Sequence, residues 1–164
     1  MKTFNYHVAK DSKEASKLSS SSSAFLAGGM TSIPSVKLGL ATYKDIIDIK
    51  HIKKLSGIKV SGKSVTIGAT TKHADVANSK EIKKAIPSLA KLAGGIGDAQ
   101  VRNRGTVGGS IANNDPSACY PSACMALNAI IHTNDRKIEA SKFFRGMFET
   151  ALKKGELIEA VEFQ

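Results

Sequence analysis

Two glycine-rich runs carry the residue types that phosphate binding needs. The first is Ala27-Gly28-Gly29-Met30-Thr31-Ser32-Ile33-Pro34, lying between a strand-like and a helix-like segment. Paired glycines let a backbone turn tightly and bring bare N–H groups toward a ligand. A nest of such groups ahead of a helix attracts anions. Thr31 and Ser32 add hydroxyl donors, although an ordinary strand-to-helix turn would use the same residues. The second run extends from Asp98 to Pro116, with Gln100, Arg102, Asn103 and Arg104 ahead of Gly105-Thr106-Val107-Gly108-Gly109-Ser110, and Asn113 and Asp115 after it. Long loops inside compact domains are usually functional. Thr106 and Ser110 offer hydroxyls to phosphate oxygens, and Asp115 offers an acceptor to ribose hydroxyls. Arg102 and Arg104 suit either pyrophosphate charge or the bracing of loop carbonyls, and the adjacent Asn103 favours bracing. Charge-assisted hydrogen bonds of about 1.5–3 kcal/mol each would hold a dinucleotide without covalent attachment.

A third run, Gly57-Ile58-Lys59-Val60-Ser61-Gly62-Lys63-Ser64, has the P-loop spelling. Its interior reads as a strand and Val65-Thr66-Ile67 as another, so Lys63 falls on a hairpin tip rather than ahead of a helix. ATP binding there is not expected. His7, His51, His73 and His132 lie far apart in no metal-ligand pattern. His73 starts a helix and reads as a surface or capping residue. Cys119 and Cys124 read as buried, reduced small residues, which suits a cytoplasmic protein.

Lys and Arg number 24 against 14 Asp and Glu, a net charge of +10 over 164 residues. The lysines are scattered singly or in pairs with no aromatic interleaving, which argues for a solvated surface and against nucleic acid. Such a surface would still favour an anionic cofactor or an acidic partner. The opening stretch Met1 to His7 lacks a signal peptide's apolar region, and no apolar run approaches the ~20 residues of a membrane helix.

The elements that position these loops alternate at first. Phe4 to Ala9 reads as a strand, Asp11 or Ser12 as the cap of a helix that runs through Leu18, and Ser19 to Ser23 as a solvated loop. Ala24 to Ala27 (strand), Ile33 to Leu40 (helix) and Asp45 to Ile49 (strand) complete a small parallel α/β unit. Thereafter a hairpin, three short helices at His73 to Ala77, Glu81 to Ile86 and Ser88 to Ala93, and a helix at Pro121 to Leu127 are expected. Asn128 to Thr133, Lys137 to Ala140 and Leu157 to Phe163 read as antiparallel strands. Gly94 to Ser117 shows no helical period. The fold class is α+β, with a small parallel α/β lobe over 1–54 and a larger antiparallel-sheet lobe over 55–164.

These motifs resemble the FAD-binding subunits and domains of the molybdenum hydroxylases, such as the carbon-monoxide dehydrogenase medium subunit and the xanthine dehydrogenase flavin domain. The family's A-G-G motif is matched from Ala27 to Pro34, and its Q-V-R-N-R-G-T-V-G-G motif from Gln100 to Pro116. Asp45 to Ile49, Leu55 to Ile58, Ile67 to Thr71, Phe143 to Gly146 and Gly155 to Ile158 are also similar. The resemblance implies a two-lobed fold of the vanillyl-alcohol-oxidase type with non-covalent FAD between the lobes. It implies that Ala27, Gly28, Gly29, Met30 and Thr31 with Thr106, Val107, Gly108, Gly109 and Ser110 cradle the pyrophosphate. Ile96 and Gly97 would line the pocket, Asp115 would lie near the ribose, and Leu157 or Ile158 would touch the flavin or adenine end. No side chain of this domain would be catalytic in the acid–base sense. Electrons would arrive from a [2Fe-2S] subunit fed by a molybdopterin subunit, and leave to a quinone, NAD or oxygen. Three departures stand out: Met30 replaces a polar residue, Cys119 replaces an acidic one, and the family's further C-terminal domain of about a hundred residues is expected to be missing. The competing readings are a flavin reductase of the peptidoglycan-precursor type and a non-catalytic basic binding module.

Overall fold

A computed structural model describes residues 2–164; Met1, part of the signal-peptide reading, lies outside the described residues. The chain opens with β1 (Asn5–Val8), α1 (Ser12–Leu18), β2 (Ser23–Leu26), α2 (Ser32–Lys37) and β3 (Asp45–Asp48). Asp11 starts α1 by accepting the Glu14 N–H at 2.8 Å, the usual work of an N-cap carboxylate. The three strands form one parallel sheet in the order β1-β3-β2. Ile47 and Ile49 face a small core with Ala9, Ala15, Ile52 and Leu55. Central β3 is buried apart from its first residue, as expected of a parallel strand covered on both faces.

After a 3-10 turn at Lys53–Leu55, β4 (Ile58–Ser61) and β5 (Ser64–Gly68) make the expected hairpin. Then come α3 (His73–Asn78), α4 (Lys80–Ala85), α5 (Pro87–Gly94), α6 (Ala99–Arg102), α7 (Val107–Asn113) and α8 (Cys119–Ala126). They are followed by β6 (Ile130–Thr133), β7 (Lys137–Glu139), α9 (Ala140–Phe143), β8 (Phe144–Gly146), β9 (Glu149–Thr150) and β10 (Ile158–Phe163). Five strands build an antiparallel sheet in the order β4-β5-β10-β6-β7, so the last strand enters the middle. Its apolar face packs against α3, α5, α7 and α8 through a second, larger core that includes Ile67, Val76, Leu89, Ile111, Tyr120, Val161 and Phe163.

Four sequence expectations need correction. Gly94 to Ser117 contains two helices, α6 and α7. Each is started by a side-chain cap, Asp98 to the Val101 N–H and Thr106 to the Gly109 N–H, and each is too short to show a period. The helix expected from Ile33 to Leu40 ends at Lys37, leaving Leu38 and Leu40 exposed. His73 is buried rather than superficial. Cys124 is buried, but Cys119 is exposed because it opens α8 at the surface.

Candidate functional site

A cleft of about 690 Å³ lies where the two lobes meet, within the roughly 300–1,000 Å³ typical of ligand pockets. Its first wall is the loop from β2 to α2, which contributes Ala27, Gly28, Gly29, Met30 and Thr31. The amide hydrogens of Gly28, Gly29, Met30 and Thr31 meet no acceptor among the described residues. Gly29 turns the chain with a φ of 76°. Free hydroxyls at Thr31 and Ser32 border the same wall.

The second wall is the loop into α7, with Thr106, Gly108, Gly109 and Ser110. Here, unlike in the first wall, the amides are paired. Val107 N–H binds the Thr71 carbonyl at 3.0 Å, Gly108 N–H the Ala69 carbonyl at 2.8 Å, and Gly109 N–H the Thr106 hydroxyl at 3.2 Å. The second loop therefore offers hydroxyls and closeness rather than amides. Val107 alone among the expected residues does not border the cleft; its side chain is fully buried in the larger core.

The two loops touch. A Cβ on Gly28 would overlap the Arg104 carbonyl oxygen, and it would lie 3.0 Å from the Gly105 Cα. Arg102 braces the turn before them, its guanidinium donating to the carbonyls of Ile96 and Gly97 at 3.0 and 2.8 Å. This is the bracing expected of it. Ile96 and Gly97 border the cleft as a result.

Asp115 also borders the cleft, and the Ser117 N–H and hydroxyl both reach its Oδ1, at 2.9 and 2.7 Å. These bonds hold its carboxyl below the ordinary range and leave Oδ2 without a partner among the described residues. Leu157 and Ile158 border the cleft at the start of β10. Glu156, which the sequence reading did not single out, anchors them. Burial would raise its carboxyl, but the Arg136 guanidinium at 2.9 and 3.1 Å, the Lys153 N–H and the Thr133 hydroxyl bring it down to about 2. A second unforeseen lining residue is His73, whose imidazole burial pushes down to about 4. Neither shows a pattern in sequence, since each depends on partners distant along the chain.

No lysine or arginine lines the cleft among the described residues. No described helix is long and apolar enough to cross a membrane. No cluster of three metal-ligating side chains occurs among the described residues.

Comparison with known proteins places this geometry. The family model described as "FAD binding domain in molybdopterin dehydrogenase" matches residues 2–163. The chain is 37% identical to the glyceraldehyde dehydrogenase medium chain of Sulfolobus acidocaldarius, covering 97% of this chain and 59% of that one. It is 38% identical to the carbon monoxide dehydrogenase medium chain of Hydrogenophaga pseudoflava, covering 94% and 56%. Among solved structures, a carbon monoxide dehydrogenase from H. pseudoflava superposes with a TM-score of 0.96 at 36% identity, over 99% of this chain and 59% of that chain. Quinoline 2-oxidoreductase from Pseudomonas putida 86 superposes at 0.95 and 27% identity, over 99% and 60%. The chain thus spans less than two thirds of the relatives it matches. Within that span the loops, the lobes and the family model agree, and the chain belongs to the family of FAD-binding domains of molybdopterin dehydrogenases.

Proposed function

We propose that the cleft holds FAD non-covalently and that the domain is the flavin-bearing electron-transfer part of a molybdopterin and [2Fe-2S] hydroxylase complex. The observation that carries this reading is the contact between the two glycine loops, which presents four unpaired amides and several free hydroxyls to one cleft. A diphosphate needs many converging donors and no fixed side-chain charge, and the first loop fits that need. In this reading Gly28, Gly29, Met30 and Thr31 bind the diphosphate through main-chain N–H groups, with Ala27 lining the same wall, so the unusual Met30 side chain loses nothing essential. Thr106, Gly108, Gly109 and Ser110 close the opposite side, with Val107 supporting them from the core. Asp115 accepts from a ribose hydroxyl through Oδ2. Ile96, Gly97, Leu157 and Ile158 exclude water from the ring system. Bound FAD supplies the redox chemistry, taking electrons from an iron–sulfur subunit and releasing them to a quinone, NAD or oxygen.

Relatives named as medium chains and as a subunit of a dehydrogenase complex support assembly with iron–sulfur and molybdopterin partners. Free thiols at Cys119 and Cys124 support a cytoplasmic location. A lobe boundary at 54/55 is supported by sheets confined to 5–48 and 58–163. The flavin-reductase alternative needs a serine and a glutamate that donate protons at the flavin. Glu156 is the buried carboxyl of the cleft, and its ion pair with Arg136 keeps it ionised. The basic-module alternative lacks a cationic stripe in the cleft among the described residues.

Titrating the purified chain with FAD tests the proposal. We expect saturable quenching of flavin fluorescence and a melting temperature that rises with FAD concentration. A chain that leaves FAD fluorescence and its own melting unchanged sinks it.

A further inference from the structure

One ring in the cleft is explained by neither glycine loop. His73 is the first residue of α3, yet its side chain turns inward, leaving the residue 5% exposed at the cleft wall. The imidazole packs on the Tyr120 ring, with centroids 5.3 Å apart and planes tilted by 33°. Its other neighbour is Gly105, where a Cβ would come within 2.6 Å of Nε2. Gly105 is also the residue against which Gly28 of the first loop rests. The imidazole therefore stands directly behind the point where the two loops meet.

Its hydrogen bonding is unbalanced. Nδ1 is buried without a partner among the described residues, as is the Tyr120 hydroxyl. A buried N–H left unpaired is rarer in folded proteins than an unpaired acceptor. Nδ1 therefore keeps its lone pair and the ring hydrogen resides on Nε2, an assignment made from hydrogen-bond balance. Burial keeps the ring neutral at physiological pH. A neutral N–H donor thus sits beside Gly105, with no protein acceptor among the described residues.

We propose that His73 is a ligand-binding residue of this cleft, its Nε2–H donating to an oxygen acceptor of the bound dinucleotide. That acceptor is a diphosphate oxygen or a flavin carbonyl. The proposal rests on the FAD reading above and adds a side-chain contact that neither glycine motif contains. A neutral imidazole suits the position, because an imidazolium would have to be stripped of water at considerable cost.

The test titrates the wild type and three variants with FAD, FMN and ADP separately, alongside melting of each ligand-free chain. His73→Phe keeps a ring against Tyr120 and removes the donor. His73→Gln carries an amide N–H at about the reach of Nε2, whereas the amide of His73→Asn reaches only about as far as Nδ1. We expect His73→Phe to bind FAD about tenfold more weakly, the scale of one hydrogen bond. His73→Gln recovers most of that loss and His73→Asn does not, although both melt alike without ligand. A loss shared by ADP places the acceptor on the diphosphate, and one shared by FMN alone places it on the flavin; both support the proposal. FAD affinity in His73→Phe equal to the wild type, or equal losses in the Gln and Asn variants, overturns it and leaves His73 a packing residue. If His73→Phe does not fold, the Gln and Asn pair decides. A wild type that takes up no FAD overturns the flavin reading itself, and this proposal with it.

Discussion

At Gly28 the first loop passes so near the second that a single methyl group would overlap the Arg104 carbonyl oxygen. That oxygen belongs to the backbone, so relief requires the loops to separate, at a cost of about 1–3 kcal/mol. Gly28→Ala is therefore expected to weaken FAD binding at least about fivefold while leaving far-ultraviolet circular dichroism unchanged. Wild-type affinity in this variant would show that loop contact is not what assembles the site. The glycine itself was legible in the sequence as half of a Gly-Gly pair, and Arg102 was legible as a brace beside Asn103. His73 was not, because a histidine opening a helix looks like a cap until Tyr120 and Gly105 are seen to enclose it.

Among the elements, the segment from Lys153 to Ile158 depends on one buried ion pair. Glu156 accepts from Arg136, Thr133 and the Lys153 N–H, while Asn134 Oδ1 accepts from the Leu157 N–H at 2.8 Å. Glu156→Ala strands Arg136 and is expected to cost about 3 kcal/mol, the low end for a broken buried pair because Arg136 is partly exposed. The pH signature follows from the direction of the shift. The folded carboxyl titrates near 2 and the unfolded one near 4.5, so its stabilisation is complete above pH 4.5 and is lost as pH falls toward 2. Acid unfolding followed by circular dichroism should show this loss in the wild type and a shallower one in Glu156→Ala; identical slopes would refute the clamp. Most strands were readable from alternation and turn residues, the β4–β5 hairpin included. Helices α6 and α7 were hidden because four and seven residues cannot show a 3.6-residue period. Only their caps, Asp98 and Thr106, carried a signal.

Across the whole molecule, a net charge of +10 surrounds a cleft with no lysine or arginine in its lining among the described residues. Hydrogen bonds from neutral donors are screened little by salt, unlike long-range attraction between exposed charges. Raising sodium chloride from 50 to 500 mM should change the FAD dissociation constant less than threefold. A rise of tenfold or more would point to surface lysines as the ligands. Two lobes were legible from the switch between alternating and hairpin patterns. The insertion of β10 between β5 and β6 was not, since pairing between distant segments leaves no local mark.

Leu157 belongs to the smaller core and Ile158, its neighbour in the chain, to the larger one. A single peptide unit thus rivets the halves together at the very edge of the cleft. Pulling either side chain out of its own core would cost about 1.5–3 kcal/mol. The rim of the cleft is consequently tied to both cores at once, through two side chains that follow one another in the chain.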